Sequence, residues 1–132
     1  MFENLTCLLI DDDTEDHEIF RIALEDVDAA VSLVTATRGA EALDMLTDNT
    51  RFIPDFIFID LNMPLMDGKE CLTHLRKMPH LQTVPIIVYS TSKAEYHREE
   101  YLRLGATHFY TKPTYISDLS KALTAFFQGN FN

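Results

Sequence analysis

The chain has 132 residues, enough to bury a real core without disulfide staples and the length of one ordinary domain. With 46% hydrophobic and 24% charged residues its composition is globular, and its formal charge of −10 excludes the basic surface that nucleic acid or an anionic membrane requires. No apolar run reaches spanning length and no basic segment precedes the first hydrophobic stretch, so a soluble cytoplasmic protein is expected.

Thr6–Ile10 is a short apolar run that ends abruptly in Asp11, Asp12 and Asp13. Thr14–Leu24 then sets Ile19, Ile22 and Ala23 at helical spacing, with Glu15 and Asp16 in the first turn, where the helix dipole favours acids. Val31–Ala36 is β-branched and strand-like, and Gly39 precedes a short helix through Ala40, Ala42, Leu43 and Leu46. Pro54 opens the strand Asp55–Ile59, which Asp60 ends, and a loop with Pro64 and Gly68 follows. Lys69–Met78 reads as a helix through Cys71, Leu72 and Leu75, stopped by Pro79. Pro85 begins the continuous apolar strand Ile86–Tyr89. A polar helix is expected over Ser92–Leu104, ended by Gly105, with Tyr101 and Leu104 as its only apolar stripe. Thr107–Thr111 is a fifth strand, and Ile116–Phe127 is a last helix with Ile116, Leu119, Leu123 and Phe126 on one face.

The pattern is a strand followed by a helix, five times over. Short strands that are apolar at consecutive positions suit a parallel sheet covered on both faces, an α/β doubly wound fold. No linker or repeat interrupts residues 1–132, and only 128–132 follow the last helix, so a single domain with a core of about 5–127 and no output domain is expected. Cys7 and Cys71 have neither C-x-x-C nor zinc spacing and read as buried free thiols. The five histidines (His17, His74, His80, His97, His108) are scattered without an i,i+4 pair and read as structural. Phe126 and Phe127 read as core plus one partly exposed ring.

Ligands of such a sheet sit at the carboxyl ends of the strands. There the sequence places Asp11, Asp12 and Asp13, then Asp60, then Ser90 and Thr91, then Lys112 with Pro113. Two unit charges about 4 Å apart repel by roughly 4 kcal/mol at an effective dielectric of 20, so clustered carboxylates take up protons or recruit a cation. All-oxygen ligands with room for water suit Mg²⁺ or Mn²⁺ and not zinc. A carboxylate beside such a cation and a lysine can attack phosphorus to give an acyl phosphate, and a hydroxyl at the fourth strand can bond a phosphoryl oxygen. Asp13 has an equally good bland role as a cap of the first helix.

At these residues the sequence resembles the receiver domain of bacterial two-component response regulators, over essentially its whole length. The most specific stretch is Asp60–Gly68 (DLNMPLMDG), which matches the phosphoacceptor loop and includes Met63 and Met66. The acid pair, the Ser-Thr after the fourth strand and Lys-Pro after the fifth complete the pattern. The resemblance implies a flavodoxin-like (βα)5 fold with strand order 2-1-3-4-5. It implies that Asp60 takes phosphate from a phosphohistidine of a sensor histidine kinase or histidine phosphotransfer protein. Asp12 would hold Mg²⁺ (or Mn²⁺) directly and Asp11 mainly through water, with Asp60 and the main-chain carbonyl of Asn62 as further ligands.

Lys112 would pair with a phosphoryl oxygen, Ser90 would be the hydroxyl that moves onto it, and Thr91 the small residue beside it. Phe109 stands at the aromatic switch, where the family often has Tyr; it can turn inward but offers a partner no hydroxyl. The resemblance also places Asn62 and Ser92 at positions that tune phosphate lifetime in that family. The resemblance further implies uptake and slow loss of phosphate by the domain itself, a changed helix 4–strand 5–helix 5 face, and a downstream protein target or dimerisation as output. The stretch His74–Ser92 is similar to small receivers that partner bacteriophytochrome-type kinases.

Two other readings use the same fold. A flavin mononucleotide module needs a Ser/Thr/Gly-rich phosphate loop after the first strand, where this chain has DDDTED. A Mg²⁺-dependent phosphatase usually carries a second acid just after the nucleophile, where this chain has Asn62, and a cap for which no insertion is long enough.

Overall fold

The computed structural model describes residues 4–63 and 66–131. The strands are β1 (Leu5–Ile10), β2 (Val31–Ala36), β3 (Phe56–Ile59), β4 (Ile86–Ser90) and β5 (His108–Thr111). The helices are α1 (Thr14–Glu25), α2 (Gly39–Asp48), α3 (Gly68–Lys77), α4 (Arg98–Arg103) and α5 (Ile116–Phe127), with 3-10 turns at Pro79–Leu81 and Ser92–His97. All strand pairs are parallel, in the order β2-β1-β3-β4-β5. That is the flavodoxin-like topology expected from the sequence.

Side chains of a strand alternate between faces, so each strand feeds two cores. One face buries Leu8, Ile10, Ile57, Ile59, Ile86 and Val88 beneath α2, α3 and α4. The other buries Cys7, Leu9, Phe58, Ile87 and Tyr89 beneath α1 and α5. There Phe20 of α1 stands edge-on to Phe58, with ring centres 5.0 Å apart, and to Tyr89 at 5.8 Å. Ser120 Oγ of α5 donates to the Ala23 carbonyl of α1 at 2.9 Å and ties these helices together. Both thiols are free and buried as expected.

Three expectations need correction. The buried stripe of α1 is His17, Phe20 and Ala23, whereas Ile19 and Ile22 are exposed. The aromatic pocket formed by Phe58 and Tyr89 selects the larger Phe20 and turns the helix accordingly. The segment expected to be one helix over Ser92–Leu104 divides into the 3-10 turn and the short α4. Within it only Ala94 and Tyr101 are buried apolar residues among those described, too few to hold a long amphipathic helix on the sheet. Finally, Phe126 and Phe127 are both buried, because Phe127 packs on Phe56 while Phe126 packs on Tyr110 and Phe58.

Candidate functional site

Backbone hydrogen bonding continues one residue past the strand ends and sets the site. Asp11 N donates to Ala36 O at 3.0 Å, Asp60 N to Ile10 O at 2.9 Å, and Lys112 N to Ser90 O at 2.7 Å. Because β1, β3, β4 and β5 are lateral neighbours, Asp11, Asp60, Ser90 and Lys112 come together at one edge. Ser90 Oγ donates to Asp60 Oδ1 at 3.2 Å. Lys112 Nζ lies 3.0 Å from Asp11 Oδ2 and 3.8 Å from Asp60 Oδ2. Asp11, Asp60 and Ser90 are buried, and Asp12 is exposed.

The loop after β3 is shaped by Gly68, the first residue of α3. A Cβ there would lie 2.7 Å from Leu61 Cα and 2.8 Å from the Asp60 carbonyl, so only glycine lets α3 approach the strand end this closely. Asp67 caps α3 by accepting from Glu70 N at 2.9 Å. Asn62 is exposed on this loop, beside a cavity of about 360 Å³ lined also by Leu61, Asp67, Ala94, Tyr96, His97 and Tyr101. Pro64 and Leu65, part of the motif read from the sequence, lie outside the described residues. Thr91 is exposed beyond Ser90. Phe109 is buried, packed near Tyr101, with the Arg98 guanidinium carbon 5.1 Å from its ring centre.

Charge crowds at this edge. Asp11, Asp12 and Asp60 each offer a carboxylate oxygen, and these atoms lie within 4.8 Å of one another. Burial pushes the Asp11 carboxyl up to about 7, against the lowering effects of the Asp13 N–H and Lys112, and Asp60 adds to the rise. Burial alone would pull Lys112 down, but its bonds to Asp16 and Asp11 and the charge of Asp60 carry it above its usual value. The clustered carboxylates of Asp11, Asp12 and Asp60, with the exposed Asp12 leaving room for water, make a donor set that fits a hard divalent cation.

Asp13 takes the bland role: it caps α1, accepting from Glu15 N at 2.9 Å. Two residues at the site escaped the sequence reading. His17 is buried behind Asp11, with Nε2 2.7 Å from the Asp11 carbonyl oxygen. No spacing rule marks a lone histidine on a helix as a partner of a strand-end carbonyl. Asp16 Oδ2 lies 2.6 Å from Lys112 Nζ. Its place in the first turn of α1 was visible, but the helix dipole alone sufficed to explain an acid there.

The family model for the response regulator receiver domain matches residues 7–124. The chain belongs to that family. It is 34% identical over 106 residues to the sensor histidine kinase CheAY of Helicobacter pylori, covering 80% of this chain but 13% of that kinase. It is 27% identical over 118 residues to the response regulator Rcp1 of Synechocystis, covering 86% of this chain and 80% of that protein. Among solved structures, the phosphorylated cyanobacterial phytochrome response regulator RcpA superposes with a TM-score of 0.82 at 28% identity, covering 93% of this chain and 91% of that one. The Mn²⁺-bound form of Rcp1 gives 0.79 at 25% identity, covering 92% and 91%.

Receivers are the phosphoaccepting modules of two-component signalling, so the chain is a signalling receiver. The family match favours neither the flavin-binding nor the phosphatase reading. No helix among the described residues is long and apolar enough to cross a membrane.

Proposed function

We propose that Asp60 accepts a phosphoryl group from a phosphohistidine of a sensor kinase or phosphotransfer protein. The observation that carries this reading is the meeting of a buried carboxylate, a hydroxyl and an ammonium at three strand ends, Asp60 with Ser90 at 3.2 Å and Lys112 at 3.8 Å. An Asp60 carboxylate oxygen attacks phosphorus, the phosphorus–nitrogen bond to the imidazole breaks, and the imidazole nitrogen keeps the electron pair. Asp11, Asp12, Asp60 and the main-chain carbonyl of Asn62 are the residues that would hold Mg²⁺ or Mn²⁺. Such a cation, when bound, neutralises charge on the phosphoryl oxygens.

Lys112 meets a second phosphoryl oxygen with its ammonium. Ser90 gives up its bond to Asp60 Oδ1 and donates to a third, drawing β4 and the segment after it toward the site. Thr91, small at the strand end, leaves room for the group. Phosphate adds roughly −1.5 to −2 charge, which is the bias that shifts the population of the two arrangements. Phe109 holds the inward position and couples this shift to the surface of α4, β5 and α5, where a protein target reads it. Hydrolysis of the acyl phosphate by water at the same site, slowly and without a second enzyme, resets the receiver. The two buried free thiols accord with a cytoplasmic setting. The similarity to the phytochrome response regulator RcpA supports a phytochrome-type kinase as partner.

Incubation with acetyl phosphate and Mg²⁺ should add one phosphoryl group per chain by intact-protein mass spectrometry. Asp60→Asn should abolish that addition. An unchanged stoichiometry in the variant overturns the assignment.

A further inference from the structure

Lys112 is bound more tightly away from Asp60 than toward it. Its Nζ lies 2.6 Å from Asp16 Oδ2 and 3.0 Å from Asp11 Oδ2, against 3.8 Å from Asp60 Oδ2. It also sits 5.2 Å from the centre of the Tyr89 ring, on the α1–α5 face of the sheet. Asp16 is fixed for this task. Asp13 caps α1 and its carbonyl accepts from Asp16 N at 3.1 Å, so the carboxylate projects from an ordered first turn. The Lys112 side chain is 15% exposed and that of Asp16 20%, which shields the pair from much of the solvent screening that weakens surface ion pairs. An ammonium has three protons, and Asp16 and Asp11 engage two of them.

We propose that Asp16 is a positioning residue that parks Lys112 on the α1 side of the site, so that Lys112 must exchange Asp16 for a phosphoryl oxygen when Asp60 is modified. The proposal rests on the reading of Asp60 as the phosphoacceptor and names a regulator of that same site. Asp16 makes the parked state a competitor of the phosphorylated one: Nζ is held 2.6 Å from Asp16 and 3.8 Å from Asp60, so its third proton reaches an oxygen on Asp60 only as the ammonium moves off Asp16. A charge-assisted bond of this kind is among the stronger polar contacts a protein makes. Its exchange also leaves the Asp16 carboxylate unpaired at the start of α1, so the α1 surface changes charge pattern on phosphorylation.

The test is a double-mutant cycle on beryllofluoride affinity at saturating Mg²⁺, read by NMR titration of the full chain. Asp16→Asn keeps the shape and removes the charge, and should tighten beryllofluoride binding on the order of five- to tenfold. Lys112→Met should weaken it, and Asp16→Asn added to Lys112→Met should do no more than Glu15→Gln, which removes a charge from the same turn without touching Lys112. The Lys112 ammonium resonance in ¹⁵N-lysine-labelled protein gives a second readout. Beryllofluoride should move it in the native chain, and Asp16→Asn should already shift it before any beryllofluoride is added.

An unchanged or weakened affinity in Asp16→Asn overturns the parking role, as does a gain that persists without Lys112. A native chain that binds no beryllofluoride overturns the phosphoacceptor reading itself, which separates the two failures.

Discussion

Ser90 Oγ, at the last residue of β4, donates a 3.2 Å hydrogen bond to Oδ1 of Asp60, one residue past β3, and both residues are buried. The hydroxyl therefore stands within one rotamer change of any group attached to Asp60, and β4 carries it straight into the 3-10 turn that leads to α4. Removing it should separate chemistry from response. Ser90→Ala is expected to be phosphorylated to the same stoichiometry as the native chain. Hydrogen exchange over 98–104, which should change on beryllofluoride binding in the native chain, should stay flat in the variant. A native-like exchange response in Ser90→Ala would take the switch role away from this residue.

The raised Asp11 carboxyl makes metal-free stability depend on pH. Burial holds its native value at about 7, against an ordinary 3.8, so between these values the folded chain binds a proton that the unfolded chain has lost. The stabilisation is fully present below about pH 3.8 and is lost as pH rises to about 7. In EDTA, the urea midpoint of the native chain should fall relative to that of Asp11→Asn between pH 5 and pH 8. Saturating Mg²⁺, which favours the ionised carboxylate, should remove that difference in slope. Parallel midpoints for the two proteins in EDTA would show that Asp11 carries no such strain.

Arg76 closes the far end of the α3–β4–β5 region. Its Nε donates to Gly105 O at 2.7 Å, its Nη1 to Leu81 O and Val84 O at 2.9 Å each, and its Nη2 to Thr107 Oγ1 at 3.2 Å. Arg76→Ala leaves the Gly105 and Val84 carbonyls without this donor, while Leu81 O keeps the Val84 N–H, and should cost about 2–4 kcal/mol of unfolding free energy. Lysine lacks the planar fork and should recover little of it. Gly105 has a φ of +115°, and a Cβ there would lie 2.6 Å from Arg76 Cγ. Gly105→Ala should therefore be destabilising, and less so when combined with Arg76→Ala. Additive losses in urea unfolding would deny the steric coupling.

The fold was legible because punctuation and period agreed along most of the chain. Pro54 and Pro85 open apolar runs too short for helices and Pro79 stops a helix, and five such runs alternating with helical patterns leave one common architecture. The strand-end residues were legible for the same reason: Asp11, Asp60, Ser90 and Lys112 each follow a recognisable run. What escaped depended on contacts across the fold. Phe20 displaces Ile19 and Ile22 from the core only because Phe58 and Tyr89 wait opposite it. Asp16 meets Lys112 across 96 residues, and His17 meets a carbonyl, so neither leaves a local pattern. The split of the Ser92–Leu104 segment likewise follows from tertiary partners, since Thr111 and Phe109 of β5 engage its side chains.

Those partners give the last prediction. Thr111 Oγ1 donates to Glu95 Oε2 at 2.8 Å, Glu95 pairs with Arg98, and Arg98 Nη1 donates to the Phe109 carbonyl at 3.2 Å. A 3-10 turn places residues three apart over one another, which brings Glu95 under Arg98. The Thr111 hydroxyl, followed by the Arg98 guanidinium, holds the Glu95 carboxyl below its usual value. All three side chains are solvent-accessible, so the network contributes little to global unfolding. It instead fixes the turn and α4 onto β5 while the guanidinium covers the Phe109 ring. Arg98→Ala should leave the urea midpoint within error of the native value yet speed amide exchange across 98–104, where native protection rests on this side chain. Glu95→Gln, which keeps the bond from Thr111 but loses the charge facing Arg98, should give an intermediate rate. If Arg98→Ala exchanges at the native rate, α4 is held by Tyr101 packing alone and the latch has no part in its mobility.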